Sequence, residues 1–284
     1  MCVDVNGARL FFDTVGPQLA LEPDRMAERP ALIALHGGPG FDHSSMRPYF
    51  DRFADTHQVI YLDHRGNGRS NGEPETWTLD QWGDDLDAFC RALGIERPVV
   101  FGQSFGGMVA MAYATRHPDG PGKLVLSSTA ARMHLDATFA MMERLGGPEA
   151  ARIAREFWAD PTPEGSDAYM AKCMPLYNPP GPFDTAAARA RAIMRLKVLF
   201  HFVKGEQNLM DFRAALARVT CPTLVVGGAL DPITPPVCAE EIAASLPPGV
   251  GRLELFSDAG HGVYRDHPER GEALFRAFFA EGRA

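Results

Sequence analysis

Long apolar runs, paired cysteines and an excess of basic residues are all missing from this 284-residue sequence. No apolar stretch approaches the 18 residues that a membrane-spanning helix needs. The formal net charge of −8 offers nucleic acid no basic surface. The cysteines are odd in number and form no C-x-x-C pair, which argues against a disulfide framework or a zinc site. They are Cys2, Cys90, Cys173, Cys221 and Cys238.

The composition is that of an ordinary globular protein, with 45% apolar and 23% charged residues. The first residues, MCVDVNGARLFF, lack the basic start and apolar core of a secretory signal peptide. Unpaired cysteines and the lack of such a segment favour a cytoplasmic protein. Nothing in the sequence implies a metal ion or an organic cofactor, and we expect a small-molecule partner rather than a nucleic acid or a membrane.

Six short apolar runs, each followed by a polar or glycine-rich loop, indicate an α/β protein. The runs are nearly continuous in apolar residues, which is typical of parallel strands covered on both faces. Helical patterns separate most of them, as expected for an open sheet with crossover helices. The runs and their loops occupy 31–40, 57–70, 98–107, 122–130, 221–231 and 251–261. Asn6-Gly7 predicts a tight hairpin ahead of this sheet, and 17–30 a surface loop.

The alternation of strands and helices stops between residues 132 and 213. This segment has helical stretches at 136–146, 148–160, 166–177 and 185–203, with a proline-rich loop at 175–183. An independent helical domain is one interpretation. Because the α/β pattern resumes at Cys221, we instead predict a helical cap, 132–213, inserted into a core of residues 1–131 and 214–284.

The stretch GQSFG at 102–106 places a serine between two glycines where an apolar run gives way to a helical pattern. In a nucleophile elbow the serine lies on a strained strand-to-helix turn, so the residues two before and two after it must be small. A glycine-rich turn with an incidental serine is the structural alternative. The position after a strand and before a helix favours Ser104 as a nucleophile.

A serine nucleophile needs a base, and the base needs an acid that orients it. His261 follows the last predicted strand and precedes the final helix, and Asp231 ends the strand before it. Asp258 and Asp266 lie nearer to His261 in sequence, but we favour Asp231 because it stands at a strand end. His36 and His64 precede the serine and are interpreted as loop-shaping hydrogen-bonding residues.

Acyl transfer also requires N–H donors for the oxyanion. The N–H of Phe105, directly after the serine, is one candidate, and the N–H of Gly38 in the HGGPG loop is the second. Neither glycine-rich loop reads G-x-G-x-x-G or contains a P-loop lysine, so nucleotide binding is not expected.

The segments HGGPG, YLDHRGNGRS, GQSFGG, GGALDPITPP and GHG together resemble the α/β-hydrolase superfamily, within it the proline-iminopeptidase-like branch. The resemblance implies the α/β-hydrolase fold, a mostly parallel central sheet flanked by helices with an inserted helical cap. It also implies Ser104, Asp231 and His261 as nucleophile, acid and base, and an ester, amide or short peptide as substrate.

Members that cleave an N-terminal proline typically carry cap glutamates for the free amine, often near a Trp-Glu pair. Here Ala159 follows Trp158, and Glu206 is the candidate for the amine, with Glu143 and Glu156 as alternatives. The alternative interpretation is that these glutamates lie on solvent-exposed helix faces and do not contact a substrate. Apolar cap residues, Trp158 and Phe139 among them, are candidates for lining a substrate pocket or for the cap core.

Four functions remain open from the sequence. The first is a proline-iminopeptidase-like serine hydrolase that cleaves a small ester or amide through an acyl-enzyme on Ser104. The second is a carboxylesterase or lactonase without peptidase activity. The third is a ligand-binding receptor on a hydrolase scaffold, since fold alone does not determine function. Perhydrolysis or C–C bond cleavage at the same residues is a further possibility.

Overall fold

The central sheet has eight strands in the computed structural model, which describes residues 1–181 and 184–282. Its order is β1-β2-β6-β5-β7-β8-β9-β10, and a separate two-stranded sheet contains β3 and β4. The strands are β1 (Cys2–Val5), β2 (Ala8–Val15), β3 (Leu19–Leu21), β4 (Met26–Glu28), β5 (Ala31–Leu35), β6 (Gln58–Leu62), β7 (Val99–Gln103), β8 (Lys123–Ser127), β9 (Thr223–Gly228) and β10 (Gly251–Phe256).

Strands β6, β5, β7, β8, β9 and β10 run parallel to one another, as their apolar runs predict. In β5, Ile33 and Leu35 face one apolar cluster while Leu32 and Ala34 face the other, and all four are fully buried. This is the arrangement of a strand covered on both faces. The fold class predicted from the sequence is confirmed.

The predicted hairpin at Asn6-Gly7 joins β1 to β2, and both turn residues have positive φ, 48° and 74°. The prediction of a surface loop over 17–30 was partly wrong, since this stretch contains the hairpin of β3 and β4. Ala20 on β3 is buried, whereas its neighbours Leu19 and Leu21 are exposed. Such a short alternation of apolar and polar residues is a weak strand signal in sequence.

Ten α-helices occur in the described residues. They are α1 (Leu79–Leu93), α2 (Phe105–Arg116), α3 (Leu135–Ala159), α4 (Pro163–Lys172), α5 (Thr185–Arg191), α6 (Leu196–Lys204), α7 (Glu206–Leu209), α8 (Pro236–Ser245), α9 (Val263–Asp266) and α10 (Pro268–Ala280). Helices α1, α2 and α8 bury side chains against one face of the sheet. Helix α10 and the 3-10 helix at Tyr49–Phe53 cover the other face with aromatic side chains. None of the described helices is long and apolar enough to cross a membrane.

Between β8 and β9 the described residues form helices and no strand. Helix α3 bends at Gly147, whose φ is 76°, just before Pro148. The proline-rich loop predicted at 175–183 lies only partly within the described residues, because 182 and 183 fall outside them. The division into a core and a cap at 132 and 213 stays a prediction.

The single helical stretch predicted over 185–203 was wrong, because the structure has two helices, α5 and α6, with an extended link at 192–195. Arg195 in this link donates its backbone N–H to the carbonyl oxygen of Gly40 (2.7 Å) and its Nε to that of Gly68 (2.8 Å). Tertiary hydrogen bonds to two strand-end loops therefore override the local helical propensity.

A buried ion pair ties the loop after β6 to helix α1. Arg65 donates Nε and Nη2 to the two carboxylate oxygens of Asp85 at 2.6 and 2.7 Å, and both side chains are almost fully buried. Asp85 also accepts from Asn6 at 3.0 Å, and Arg65 donates to the Asn6 carbonyl at 2.9 Å. The pair thus joins the first hairpin, the loop and the helix at one point.

Replacing Arg65 with methionine should reduce the free energy of unfolding by about 3–5 kcal/mol, because the Asp85 carboxylate would be left buried without its partner. Urea unfolding at pH 7 measures this. The matched control is Arg91→Met, which breaks an ion pair with Asp87 in which the arginine is 74% exposed, so its cost should stay below about 1 kcal/mol. Equal losses in the two variants would contradict the assigned role of the buried pair.

Candidate active site

Ser104 lies on the turn between β7 and α2 with φ 54° and ψ −119°, a conformation that non-glycine residues rarely adopt. Its backbone N–H donates to the Ser127 carbonyl at 2.9 Å, and its own carbonyl accepts from the Thr129 hydroxyl at 2.7 Å. These two contacts with the end of β8 hold the turn. The helix that follows begins at the next residue, so the serine is presented at its N-terminus.

The glycines around Ser104 are required by close backbone approaches. A Cβ on Gly106 would collide with the carbonyl oxygens of Leu35 and His36 at the end of β5, and one on Gly102 would lie 2.5 Å from the Gly106 carbonyl oxygen. On Gly107 it would lie 2.6 Å from the Thr129 side chain. The crowding expected from the G-x-S-x-G pattern is therefore present, and α2 starts directly against the neighbouring strand.

His261 and Asp231 form a buried pair on the two loops that follow β10 and β9. The Nδ1–H of His261 donates to the Asp231 carboxylate, with distances of 2.9 and 3.0 Å to its two oxygens. The carboxylate also accepts from the backbone N–H groups of Ile233 (2.8 Å) and Thr234 (2.9 Å), and from the Thr234 hydroxyl (2.8 Å). These donors fix the carboxylate, which in turn orients the imidazole and leaves Nε2 as the acceptor.

Ser104 and His261 line one cavity of about 150 Å³ at the carboxyl ends of the strands. This is the edge at which open α/β sheets bind their ligands. Apolar and aromatic side chains make up much of its wall, including Phe157, Trp158, Tyr169, Met170, Met174 and Leu199. The cavity therefore combines a hydroxyl and an imidazole with a mostly apolar surround.

The other two acids considered from sequence have different partners. Asp258 pairs with Arg270 and His267, each at 3.1 Å. Asp266 accepts from the side-chain amide of Asn178 at 2.9 Å and from the Gly260 N–H at 2.7 Å. Only Asp231 among the three acids is hydrogen-bonded to the imidazole in the described structure.

The HGGPG loop lies beside Ser104. Gly38, with φ 127°, lines the cavity, and Phe105 is the first residue of α2, so its N–H has no partner within the helix. The loop is held by the side chain of Asn67, whose Oδ1 accepts from the Gly40 N–H at 2.6 Å. This places two candidate oxyanion donors on the loop and the helix that flank the serine.

His36 and His64 support the same loops as neutral side chains. The Nδ1–H of His36 donates to the Gly37 carbonyl oxygen (2.7 Å), and the Nε2–H of His64 donates to the His36 carbonyl oxygen (3.2 Å). Burial lowers the pKa of both imidazoles, because the protonated form loses its hydration there. Their hydrogen bonds agree with the loop-shaping interpretation made from sequence.

A family model for the alpha/beta hydrolase fold matches residues 30–268. The chain belongs to the α/β-hydrolase fold family. Proline iminopeptidase PfmaB of Pestalotiopsis fici is 29% identical over 276 residues, which cover 92% of each chain. The structure of a proline iminopeptidase from Mycobacterium smegmatis matches with a TM-score of 0.78 and 25% identity over 98% of this chain and 96% of that one. A thermophilic esterase from Thermogutta terrifontis matches with a TM-score of 0.70, 25% identity and coverage of 98% and 96%.

These similarities confirm two predictions made from the motifs. The chain is a hydrolase, and it lies in the proline-iminopeptidase-like branch of the α/β-hydrolases. The match covers the strands and loops that carry Ser104, Asp231 and His261 as well as the helical segment between β8 and β9. The roles of these three residues remain predictions that follow from their geometry.

The structure brings only one of the three predicted substrate-binding residues to the cavity. Trp158 lines it and donates its indole N–H to the Tyr169 hydroxyl at 3.1 Å. Phe139 instead packs beneath the guanidinium of Arg155 and is not among the lining residues. Glu206 also lies elsewhere, because its carboxylate accepts the N–H of Leu79 (2.8 Å) at the start of α1. Its predicted contact with a substrate amine is not supported by this position.

Several lining residues went unrecognised in the sequence, among them Gln103, Tyr177 and Arg265. Gln103 directly precedes the serine, and a polar residue that ends an apolar strand was a usable signal. Arg265 follows His261 by four residues, and its charge was the only signal in the sequence that could have marked it as a lining residue. Tyr177, whose carbonyl accepts the His261 N–H at 2.5 Å, sits in the proline-rich loop with no pattern to mark it.

Asp231→Asn should lower kcat/KM for an ester by about 10⁴-fold, since the amide no longer stabilises the imidazolium and favours the wrong histidine tautomer. Steady-state kinetics with p-nitrophenyl butyrate measures the loss. Asp258→Asn is the control, because this acid is exposed and bonded to Arg270 and His267. A loss caused by Asp258→Asn rather than Asp231→Asn would reassign the acid.

Proposed function

We propose that this chain hydrolyses a small ester or amide through an acyl-enzyme formed on Ser104. The observation that carries the proposal is the shared cavity of Ser104 and His261, with His261 held through Nδ1 by the buried Asp231. A strained serine, an oriented imidazole and flanking N–H donors form a set suited to acyl transfer.

In this mechanism the Ser104 Oγ attacks the substrate carbonyl carbon while the Nε2 of His261 accepts the hydroxyl proton. The N–H groups of Phe105 and Gly38 stabilise the oxyanion of the tetrahedral intermediate. His261 then gives the proton to the leaving alkoxide or amine as its bond to the carbonyl carbon breaks. Water, deprotonated by the same imidazole, attacks the acyl-enzyme and releases the acid, and the proton returns to Ser104.

The cavity favours a short acyl group. Its volume of about 150 Å³ matches that of a cavity able to hold a benzene-sized molecule. An acyl group of four or five carbons fits such a space, with the leaving group directed toward the opening.

The lining favours the second hypothesis, an esterase or lactonase without peptidase activity, over an iminopeptidase. Recognition of an N-terminal proline requires a carboxylate or another acceptor for the secondary ammonium group. Among the described residues that line the cavity, none is an aspartate or a glutamate. Glu206, the candidate from sequence, is bonded to α1. An ester whose acyl group lacks an amine therefore suits these walls better.

Ser104→Ala should reduce kcat for p-nitrophenyl butyrate by at least about 10⁴-fold, because no covalent route remains. Wild-type enzyme quenched during turnover should gain the mass of one butyryl group, and the variant should not. Ser245→Ala removes a hydroxyl that donates to the Glu241 carbonyl on α8, away from the cavity lining, and serves as the control. Undiminished turnover by Ser104→Ala would refute the acyl-enzyme.

The same assay with proline p-nitroanilide separates the two substrate classes. We expect kcat/KM for the butyrate ester to exceed that for the prolyl amide. A higher value for the prolyl amide would instead support an iminopeptidase and require an amine-binding group outside the lining described above.

A further inference from the structure

Three side chains from the segment between β8 and β9 form a hydrogen-bonded chain in the cavity wall. The indole N–H of Trp158 donates to the hydroxyl oxygen of Tyr169 at 3.1 Å, and the hydroxyl oxygens of Tyr169 and Tyr177 lie 2.8 Å apart. All three residues line the cavity beside Ser104. The mechanism proposed above uses none of their polar groups.

This chain has one more hydroxyl proton than its own members can accept. The indole nitrogen can only donate, whereas each tyrosine hydroxyl can donate one hydrogen bond and accept others. One hydroxyl proton lies between the oxygens of Tyr169 and Tyr177, whichever residue supplies it. The other hydroxyl proton has no acceptor among the described residues. Because a buried donor without an acceptor is costly, a bound molecule that accepts this hydrogen bond would be favoured.

Tyr177 is the member best placed to donate the spare proton. Tyr169 is only 3% exposed, whereas Tyr177 is partly exposed. If Tyr169 donates to Tyr177, the unused proton lies on the more accessible of the two residues. The reverse direction would leave that proton on the buried residue, at a greater cost. Burial raises the pKa of both hydroxyls, so both remain protonated donors at neutral pH.

Close packing holds the two tyrosines in the wall next to the imidazole of His261. The ring centroids of Tyr177 and His261 are 5.3 Å apart, and the Tyr177 carbonyl accepts the His261 N–H at 2.5 Å. A Cβ on Gly260 would lie 2.2 Å from the same carbonyl oxygen. Tyr169 in turn stacks on Phe157 at a centroid distance of 4.4 Å. The spare donor is therefore presented from a packed surface beside the proposed base.

We propose that the Tyr177 hydroxyl donates a hydrogen bond to an uncharged oxygen in the acyl group of the substrate. This inference rests on the proposed function, which places the acyl group in the cavity and the leaving group toward its opening. A neutral phenol O–H compensates the desolvation of an ether, keto or hydroxyl oxygen, but not that of an unpaired charge. The expected substrates are short esters whose acyl chain carries such an oxygen, in preference to esters with a hydrocarbon chain.

The test compares two pairs of p-nitrophenyl esters whose acyl chains have matched lengths. Methoxyacetate is paired with butyrate, and 3-methoxypropionate with pentanoate, so that an ether oxygen replaces a methylene group at two positions. The ratio of kcat/KM, ether over hydrocarbon, should fall at least about threefold in Tyr177→Phe for one pair or both, the usual effect of one uncharged hydrogen bond. Intrinsic reactivity is the same for every variant and cancels in this comparison.

Tyr49→Phe is the matched control, because the Tyr49 hydroxyl donates to the Pro268 carbonyl (3.1 Å) and Tyr49 does not line the cavity. It should keep both ratios. Tyr169→Phe should lower the affected ratio by less than Tyr177→Phe does, since it removes the group that orients the donor but leaves the donor. A fall of less than threefold in both pairs with Tyr177→Phe, or a larger fall with Tyr169→Phe, would overturn the inference. Should Tyr177→Phe fail to fold, unchanged ratios in Tyr169→Phe would overturn it.

Binding measurements separate this result from failure of the proposed function. The methyl esters of the same four acids are titrated into the Ser104→Ala protein, with and without Tyr177→Phe, and followed by NMR. If Ser104 proves unnecessary for ester hydrolysis, a relative affinity for the ethers that falls at least about threefold with Tyr177→Phe still supports the hydroxyl contact. A relative affinity that Tyr177→Phe leaves unchanged would refute it.

Discussion

The close approach of the β7–α2 turn to the end of β5 is the constraint on which the candidate site depends. Gly106 packs against backbone carbonyls of the neighbouring strand, and no side chain fits between them. This contact places the start of α2 directly beside the HGGPG loop. Ser104 and Gly38 consequently line the same cavity, and Phe105 begins the helix directly after the serine. Positioning by the rigid sheet is what acyl transfer requires.

Loops from distant parts of the chain hold this arrangement by hydrogen bonds to backbone groups. Asn67 fixes Gly40, Arg195 reaches both Gly40 and Gly68, and Tyr177 accepts the N–H of His261. The helical segment between β8 and β9 is therefore joined to the HGGPG loop on one side and to the loop that carries His261 on the other. It forms the apolar wall of the cavity and also braces the loops beneath it.

Candidate site residues at strand ends could be predicted from the sequence, because the end of an apolar run indicates where each strand ends. Ser104, Asp231 and His261 all follow such runs, whereas contacts across the chain leave no local signal. Glu206 shows the limit, since its carboxylate is bonded to Leu79, 127 positions away. The helix predicted over 185–203 failed for the same reason, because the hydrogen bonds of Arg195 are made to remote loops. Pattern reasoning thus recovered the sheet and the strand-end side chains, but only the folded arrangement identifies the cavity wall.

The strained backbone conformation of Ser104 also bears on which substitutions can stabilise this protein. A non-glycine residue at φ 54° and ψ −119° costs the native state roughly 1–3 kcal/mol. Glycine would relieve that cost and remove the hydroxyl at the same time. Under the proposed mechanism greater thermostability and catalysis are mutually exclusive at this position, so a search for stabilising substitutions guided by stability alone would favour a protein without its proposed nucleophile.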